Sequence, residues 1–468
     1  MKKQLVSFFG KAHPLVLLYF IVILVAILTY SIPAGQYDRV KDPVSGRMIV
    51  AAGTYHHIES TPATFSQFLL AVDKGLNKAA PIISFLLLIG GALGVIATTG
   101  SIEAALGKFV GKFKSGKSRV IILGGVMFFF LFCSSSFGMG QESMAFAPFV
   151  IMLMLSLGYD TMTGIGAIVL GYGIGYGVSV LNPFTIAIAQ GIAGVPYPSG
   201  SLVRIIISLI MFVCALTYLN NYATNVKDDP TKSLSPDVPE EFRETKNLEL
   251  VEMKAGHIRV WVVFFLSLAY LIYGAVAKGF YFSEISSIFL YMGILSGIVF
   301  GLKPNEIGRA FAQGARDMAV PCLIIGFALS INTLLDSANI IDSIIYYLSL
   351  PLRNLPPVIS AGGMVLVQTL VNFFVNSGST QAAITMPIMS PLASILGVNQ
   401  QVAVLAFQLG DGLSNILWVT CGTLMIGLGI ANINYFQWLK FIGKIYGILL
   451  AIGIISVMLA QYLNWGPF

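Results

Sequence analysis

The stretch Asn376–Pro387, which reads NSGSTQAAITMP, places small and polar residues in the middle of a long apolar segment. No Asp, Glu, Lys, Arg or His occurs between Asn354 and Gly410, which indicates that this part of the chain lies inside a bilayer. There, a Gly- and Ser-rich break in a helix is stable only where its backbone faces protein or a water-filled cavity. Broken helices of this kind bind solutes and coupling ions in many secondary transporters. The stretch therefore predicts one half of a central binding site.

The composition indicates a polytopic membrane protein. Of the 468 residues, 56% are hydrophobic and 10% are charged, whereas about a quarter of the residues in soluble domains are charged. The net charge of +6 comes from basic residues in short loops between apolar spans, which indicates membrane topology and not a nucleic-acid surface. No pair of cysteines shows metal-ligand spacing, so we expect free thiols at Cys133, Cys214, Cys322 and Cys421.

Two segments predict the orientation of the chain. Pro14–Ile32 is an uncharged run of about 19 residues, which is enough for one crossing and longer than the apolar core of a signal peptide. The loop Glu103–Arg119 contains five basic residues and one acid, so the positive-inside rule places it in the cytoplasm. We therefore predict a retained first helix, a cytoplasmic N-terminus and a multi-pass protein of the bacterial inner membrane.

Two stretches have the pattern of amphipathic helices that lie at the membrane surface. The first is Phe65–Lys78, which precedes the apolar span Ala80–Thr99. The second is Asn305–Arg316, which precedes the apolar span Ala319–Leu335. In both places we expect a surface helix followed by a separate crossing.

Two Gly- and Ser-rich tips are flanked by apolar runs that are short for a crossing. We call Ser134–Ser143 the first tip and Asn376–Gln381 the second tip. The pattern predicts two re-entrant helical hairpins, at residues 120–157 and 358–397. A broken helix is predicted after each hairpin, at residues 163–190 and 401–427.

The two hairpins belong to an internal repeat, which is a strong indicator of architecture. Pro321 follows Pro81 by 240 residues, Pro387 follows Pro148 by 239, and the motif at Gly410 follows that at Gly171 by 239. An odd number of predicted crossings separates the matched points, so the repeats should have opposite orientations, as in many transporters. We predict a first repeat at 1–222, a cytoplasmic linker at 223–258 and a second repeat at 259–468.

Two acidic side chains, Glu142 and Asp411, lie well inside the predicted membrane elements. An ionisable group there is costly and is by default a candidate for function. These acids could bind a coupling cation, exchange a proton or pair with a cationic substrate, and the alternative is a structural hydrogen-bond network. We predict no catalytic residue, no cofactor and no fixed metal. Na⁺ or H⁺ would serve for coupling, with Na⁺ at the hairpin tips if it is used.

Hydroxyl and amide groups at the breaks complete the candidate substrate- or ion-binding set. Such dipoles suit a carboxylate or a dehydrated cation, although Ser and Thr also pack membrane helices together. The set is Ser135, Ser136, Gly140, Gln141, Glu142, Ser143, Asn182, Pro183, Thr185, Asn376, Ser377, Gly378, Ser379, Thr380, Gln381, Asp411, Asn415 and Thr420.

The second tip, GDGLSN at 410–415, NPFT at 182–185 and GYD at 158–160 resemble the YfcC-type branch of the C4-dicarboxylate anaerobic carrier (DcuC) family, within the ion transporter superfamily. The likeness covers nearly the whole chain. It implies a scaffold, a mobile transport domain with elevator-type movement, two hairpins at the site and homodimers. Members of this branch are often described as basic amino acid antiporters, while the wider family includes dicarboxylate carriers.

The chain departs from that family pattern at two places. Relatives usually have an acidic pair in the first tip, where this chain has Gln141-Glu142. They usually have a proline in the second break, where this chain has Val419 before Thr420. The first departure bears on how much negative charge the site has. The second bears on where the later helix break lies.

Enzyme and channel functions are the competing classes. A zinc protease would need histidines inside the spans, but His13, His56, His57 and His257 lie outside them. An aspartyl protease of the membrane would need glycine at position 408, which is glutamine. A channel can also be built from hairpins and broken helices, but the inverted repeat favours a carrier.

The sequence therefore predicts an all-helical secondary active transporter of small carboxylate-bearing metabolites and not an enzyme. Amino acid transport, by antiport of basic amino acids, is the leading hypothesis. The alternative is ion-coupled transport of a C4-dicarboxylate or a short-chain carboxylate. The expected partners are the small-molecule substrate, the lipid bilayer and a second copy of the chain, with no nucleic acid.

Overall fold

The computed structural model describes residues 14–41, 48–51, 53–102, 104, 116–182, 184–239, 253–278, 280 and 282–466. In this part the chain is mostly helical, and seven helical segments are long and apolar enough to cross a membrane. The helices are α1 (Pro14–Leu28), α2 (Phe65–Thr98), α3 (Gly116–Phe137), α4 (Ala147–Ser156), α5 (Thr161–Gly177), α6 (Ile186–Ile192), α7 (Ser201–Asp228), α8 (Ala255–Lys278), α9 (Phe282–Phe300), α10 (Pro304–Asp317), α11 (Ala319–Ser337), α12 (Ile341–Ser349), α13 (Pro357–Phe374), α14 (Gly378–Leu396), α15 (Gln400–Ser414), α16 (Gly422–Ile430) and α17 (Tyr435–Tyr462).

The helices form two packed groups. In the first group, α2 packs against α9, α10 and α11, while α1 packs against α11 and α8 packs against α9. In the second group, α5 packs against α3 and α4, α15 packs against α13 and α14, and α5 and α15 pack against each other. We call the first group the outer group and the second, with α6, α7 and α17, the core bundle. The helix α16 of the core side packs against α11 and joins the two groups.

The helix α2 corrects one prediction about the membrane surface. We expected a surface helix at Phe65–Lys78 and a separate span, but a single helix runs from Phe65 to Thr98 with Pro81 inside it. Thr64 and Gln67 form a capping box at its start. Its buried face continues across Pro81, so packing maintains the helix despite the proline. In the second half, α10 and α11 are separate helices, with Met318 between them.

Helix bounds repeat along the chain at the spacing found between the motifs. The helix α2 covers residues 65–98, and α10 with α11 covers residues 304–337, so both bounds differ by 239. The starts of α5 and α15, at Thr161 and Gln400, differ by the same number. The spacing of the sequence motifs is therefore also the spacing of these helix bounds.

The segment between α1 and α2 corrects the expectation of an all-helical chain. It contains four short strands, β1 (Gly35–Gln36), β2 (Arg39–Lys41), β3 (Met48–Val50) and β4 (His56–His57), which form two antiparallel pairs, β1 with β4 and β2 with β3. Pairing satisfies backbone polar groups in a polar segment that no helix includes. This strand segment is fixed to α12 through Asp342, which accepts hydrogen bonds from the Tyr37 backbone N–H at 3.0 Å and from Arg39 Nη2 at 3.0 Å.

The predicted linker at 223–258 is shorter than expected at both ends, because α7 continues to Asp228 and α8 begins at Ala255. Residues 240–252 lie outside the described residues. Asp160 is the N-cap of α5. Its carboxylate also accepts hydrogen bonds from the hydroxyls of Tyr222 at 2.6 Å and Ser233 at 2.7 Å, which fastens the start of the linker to the core bundle.

Candidate functional site

The core bundle is organised around the crossing of α5 and α15. A Cβ atom added to Gly412 would overlap the backbone of Gly177, so the two helices touch backbone to backbone. Both helices end close to this crossing, α5 at Gly177 and α15 at Ser414, and their continuations α6 and α16 begin several residues later. The crossing therefore places the two helix breaks side by side.

A cavity of about 130 Å³ lies between the two tips and the two breaks. Its wall combines backbone groups of the tips with aromatic, amide and hydroxyl side chains. The residues that line it are Gly138, Gly140, Gln141, Glu142, Tyr172, Tyr176, Phe184, Asn376, Ser377, Gly378, Ser379, Asn415, Cys421 and Thr423. Among these lining residues Glu142 is the charged side chain, and neither lysine nor arginine contributes.

The structure brings eight of the predicted site residues to this wall. These are Gly140, Gln141, Glu142, Asn376, Ser377, Gly378, Ser379 and Asn415. The remaining predicted residues are not among those that line the cavity, and Pro183 lies outside the described residues. Those residues are Ser135, Ser136, Ser143, Asn182, Thr185, Thr380, Gln381, Asp411 and Thr420.

The first tip is tied to the break between α5 and α6. The backbone N–H groups of Val180 and Leu181 donate to the backbone oxygen of Ser135 at 3.2 and 3.0 Å, and Val180 N–H also reaches Ser135 Oγ. Asn182 Nδ2 donates to Ser134 O at 3.4 Å. Within the tip, the Gly140 N–H donates to Glu142 Oε2 at 3.0 Å. The predicted residues Ser135 and Asn182 thus hold the tip that presents Glu142.

The second tip is held by a cluster of amides. Asn372 Nδ2 and Asn376 Nδ2 both donate to Asn415 Oδ1 at 3.0 Å, and Asn372 Nδ2 also donates to the Asp411 backbone oxygen at 2.8 Å. In the helix that follows the second tip, α14, Gln381 Nε2 donates to Gln368 Oε1 of α13 at 2.8 Å. These bonds fix α13 and the second tip to the end of α15, and α14 to α13.

Asp411 lies one layer behind the cavity wall. Its side chain is 1% exposed, and no donor among the described residues hydrogen-bonds to either carboxylate oxygen. Gly378 of the second tip covers it, because a Cβ atom added to Gly378 would lie 2.9 Å from Asp411 Oδ2. Only glycine allows the second tip to approach the carboxylate this closely.

Six lining residues were missed from the sequence: Gly138, Tyr172, Tyr176, Phe184, Cys421 and Thr423. The repeat could have found some of them, since Tyr176 and Phe184 precede Asn415 and Thr423 by 239 residues. Tyr172 is the middle residue of the Gly-Tyr-Gly motif that aligns with Gly410–Gly412. The hydroxyl of Tyr172 lies 3.9 Å from the Sγ of Cys421, so the two breaks also meet at this point.

A buried arginine that was not predicted from the sequence adds a charged group to the core bundle. Arg204, in the first turn of α7, is 0% exposed. Its Nε donates to Gln408 Oε1 at 2.8 Å and its Nη1 to the Ser199 backbone oxygen at 2.7 Å, and Trp465 lies 5.5 Å from the guanidinium. No ion pair in the described part of the chain includes Arg204. Neutral acceptors and an aromatic face therefore hold this cation.

Gln408 connects Arg204 to the break of α5. Its Nε2 donates to Ser179 Oγ at 3.0 Å, and Ser179 Oγ lies 3.3 Å from Thr185 Oγ1. Gln408 also precedes Asp411 by about one turn of α15. The network thus runs from α7 through α15 to the break that supports the first tip.

Comparisons with known proteins identify the family. Residues 12–462 match the family model described as the C4-dicarboxylate anaerobic carrier, DcuC. The chain is 32% identical over 489 aligned positions to the Escherichia coli (strain K12) protein named "Putative basic amino acid antiporter YfcC", with 96% of each chain covered. It is 30% identical to an uncharacterised protein of Haemophilus influenzae, with 88% of this chain and 81% of the relative covered.

Two solved structures align with nearly the whole chain. One is MtrF of Neisseria gonorrhoeae, of a class of antimetabolite efflux pumps, with a TM-score of 0.44, 19% identity and coverage of 98% and 97% of the two chains. The other is the YdaH transporter of Alcanivorax borkumensis, with a TM-score of 0.42, 16% identity and coverage of 97% and 100%. Neither likeness assigns a substrate to this chain.

The named relatives are carriers and transporters, which indicates a multi-pass transport protein and not an enzyme. The resemblance seen in the tip and break motifs is thereby confirmed. The match across residues 12–462 and the identity to YfcC show that this chain belongs to the C4-dicarboxylate anaerobic carrier (DcuC) family.

Proposed function

We propose that this chain is a secondary active transporter that exchanges basic amino acids across the bacterial inner membrane. The observation that carries the proposal is the charge of the cavity. Glu142 is its charged lining residue, and neither lysine nor arginine lines it. In a site of low dielectric constant, this arrangement favours a cationic solute over an anionic one. The name of the YfcC relative supports the same substrate class.

The cavity offers a separate set of groups for each part of a basic amino acid. Glu142 would accept the side-chain cation through charge-assisted hydrogen bonds, and the rings of Tyr172 and Tyr176 would cover that cation. Ser377 and Ser379 lie at the start of α14, where free backbone N–H groups and the helix dipole favour the substrate carboxylate. The candidate residues thus have complementary roles in one site.

We further propose that transport depends on inverted repeats, with the core bundle moving against the outer group in an elevator-type motion. The spacing of 239 residues between matched helix bounds supports the repeat, and the packing of helices into two groups supports two moving parts. In this proposal the repeats comprise residues 1–222 and 259–468. The basic loop at 103–119 supports a cytoplasmic N-terminus, and we propose a homodimer in the membrane.

Counterflow in proteoliposomes tests the proposed substrate class. Vesicles loaded with unlabelled arginine or ornithine should accumulate the matching labelled solute transiently, because a carrier exchanges one solute molecule for another. Vesicles loaded with succinate or acetate should not. Saturable uptake with trans-stimulation also distinguishes a carrier from a channel.

Accumulation with succinate or another organic acid alone would overturn the amino acid proposal. It would support the alternative, ion-coupled carboxylate transport, and would assign Glu142 and Asp411 to the coupling ion. Flux that neither saturates nor responds to internal solute would instead indicate a pore.

A further inference from the structure

We propose that Asp411 is the proton-carrying group of this transporter and that its ligand is H⁺ and not a metal cation. The inference rests on the proposed transport function and divides the two acids of the site between two tasks. Glu142 lines the cavity and is placed to contact the substrate. Asp411 is 1% exposed, outside the cavity wall, and without a hydrogen-bond donor among the described residues at either carboxylate oxygen.

A carboxylate in such surroundings is strongly destabilised. Burial removes the water that solvates the charge, and no protein donor replaces it. An isolated buried ion of this kind takes up a proton instead, because the neutral carboxyl group has a much smaller desolvation cost. The arrangement observed here is therefore the one that stabilises the protonated form of Asp411.

Among the described residues, no group of three His, Cys, Asp or Glu side chains is placed to hold a metal ion. On the side of Asp411 that Gly378 covers, a Cβ atom added to Gly378 would lie close to Asp411 Oδ2, the Thr185 methyl carbon and the Tyr176 Cε1 ring carbon, so carbon atoms flank the carboxylate there. The Thr185 hydroxyl lies 3.3 Å from Ser179 Oγ instead. A dehydrated hard cation requires several oxygen ligands at once, and carbon atoms provide none. A proton needs only the carboxylate itself.

Few other ionisable groups can share the titration of Asp411. Of the helices packed against α15, namely α5, α6, α13, α14 and α17, three contain none: α6, α13 and α14. Lys440 and Lys444 of α17 are exposed, and Arg204 of α7 donates a hydrogen bond to Gln408. The remaining ionisable groups on these helices and on the adjoining break and tip are Tyr172, Tyr176, Tyr435, Tyr446, Tyr462, Cys421 and Glu142.

The position of Gly378 links the proton to the second tip. Gly378 is the first residue of α14, where backbone N–H groups lack helical partners and the helix dipole is positive. Loss of the proton leaves a carboxylate that these N–H groups would stabilise after a small displacement of the tip. Proton release to water and movement of the second tip are therefore coupled in this proposal, and rebinding of the proton reverses both.

The test uses the full-length protein in proteoliposomes with arginine as the solute, and compares the wild type with Asp411→Asn and Asp336→Asn. Asp336 is an exposed carboxylate paired with Lys78 at 3.2 Å, so it is a matched control outside the site. In the wild type, a pH gradient should drive arginine accumulation, arginine should move protons detected by a trapped pH dye, and a Na⁺ gradient should have no effect. The control should behave as the wild type does.

In Asp411→Asn, accumulation driven by the pH gradient should be lost, and the exchange that remains should no longer depend on pH. Retained pH-driven accumulation in this variant would overturn the inference, as would accumulation driven by Na⁺ in the wild type. If the variant does not fold, the wild type still decides, through the choice between H⁺ and Na⁺ as the driving ion. An infrared band of a protonated carboxyl group, lost at high pH, should also be present in the wild type.

The outcomes separate this inference from the proposed function. Failure of arginine counterflow in the wild type would overturn the proposed function. Successful counterflow without any response to a pH gradient would overturn only the assignment of Asp411.

Discussion

Tyr176 and Asn415 face the same cavity although 239 residues separate them. Each lies where a helix of the core bundle breaks, Tyr176 at the end of α5 and Asn415 at the end of α15. In the proposed repeats these two positions are equivalent, and they contribute different groups to one site, an aromatic ring from the first half of the chain and an amide from the second. This asymmetry gives an asymmetric substrate a preferred orientation between two similar halves.

Glu142→Gln should weaken arginine transport more than it weakens folding. A hydrogen bond to a charged group contributes about 1.5–3 kcal/mol, so KM for arginine should rise by about tenfold to a hundredfold. Uptake kinetics in proteoliposomes would measure this change, with thermal unfolding in detergent as the check on folding. Glu59→Gln, on an exposed residue of the strand segment, is the matched control. An unchanged KM would remove Glu142 from the site.

Cys421 should report on occupation of the cavity. It lines the wall as a free thiol, so a small methanethiosulfonate reagent that enters the cavity should modify it and block transport. Arginine should slow this modification because both compete for one space. Cys421→Ser should make transport resistant to the reagent. Inactivation that persists in Cys421→Ser would instead point to one of the other three cysteines.

Gly412→Ala should destabilise the core bundle. The added methyl group would overlap the backbone of Gly177, and overpacking of this kind costs about 1–3 kcal/mol. Gly443→Ala is the matched control, because nothing lies within 4 Å of a Cβ atom at Gly443, and alanine in a helix interior is about 0.5–1 kcal/mol more favourable than glycine. Thermal unfolding should therefore shift downward for the first variant and not for the second.

Arg204→Met should lower stability by leaving the buried side-chain oxygen of Gln408 without a donor. An unsatisfied buried group costs about 1–3 kcal/mol, and the Gln408 oxygen loses the guanidinium, whereas the Ser199 backbone oxygen keeps a hydrogen bond from Gln190 Nε2. Arg204→Lys keeps the positive charge but lacks the planar guanidinium group with its several donors. This variant should therefore be more stable than Arg204→Met but less stable than the wild type.

Gln408→Leu combined with Arg204→Met separates this network from nonspecific damage. The destabilisation of the double variant should be smaller than the sum of the single effects, since both changes break the same bond. Strict additivity would contradict a shared network.

The sequence predicted the positions of the tips and breaks, because a bilayer tolerates polar, non-helical backbone at few places. Charge-free spans make a polar break at Asn376 or Asn182 conspicuous, and the tips and breaks of the structure lie where those residues indicated. Spacing between repeated motifs also reaches across the chain, which is why Gly171 and Gly410 could be matched without a structure.

Other features depend on contacts that local patterns do not contain. Arg204 resembles an ordinary residue at the end of a span until Gln408 and Trp465, from the distant second half, surround it. Asn372 is a helix residue in sequence but the centre of the amide cluster in space. The helix α2 continues through Pro81 because of its packing, which overrides a local preference for a break.

The contact between Gly177 and Gly412 has a mechanical consequence. Because the backbones of α5 and α15 already touch there, neither helix can approach the other further, and the close fit resists sliding. The side of the cavity formed by the ends of α5 and α15 is therefore rigid. A larger solute can be accommodated only if the first and second tips move away from these helix ends.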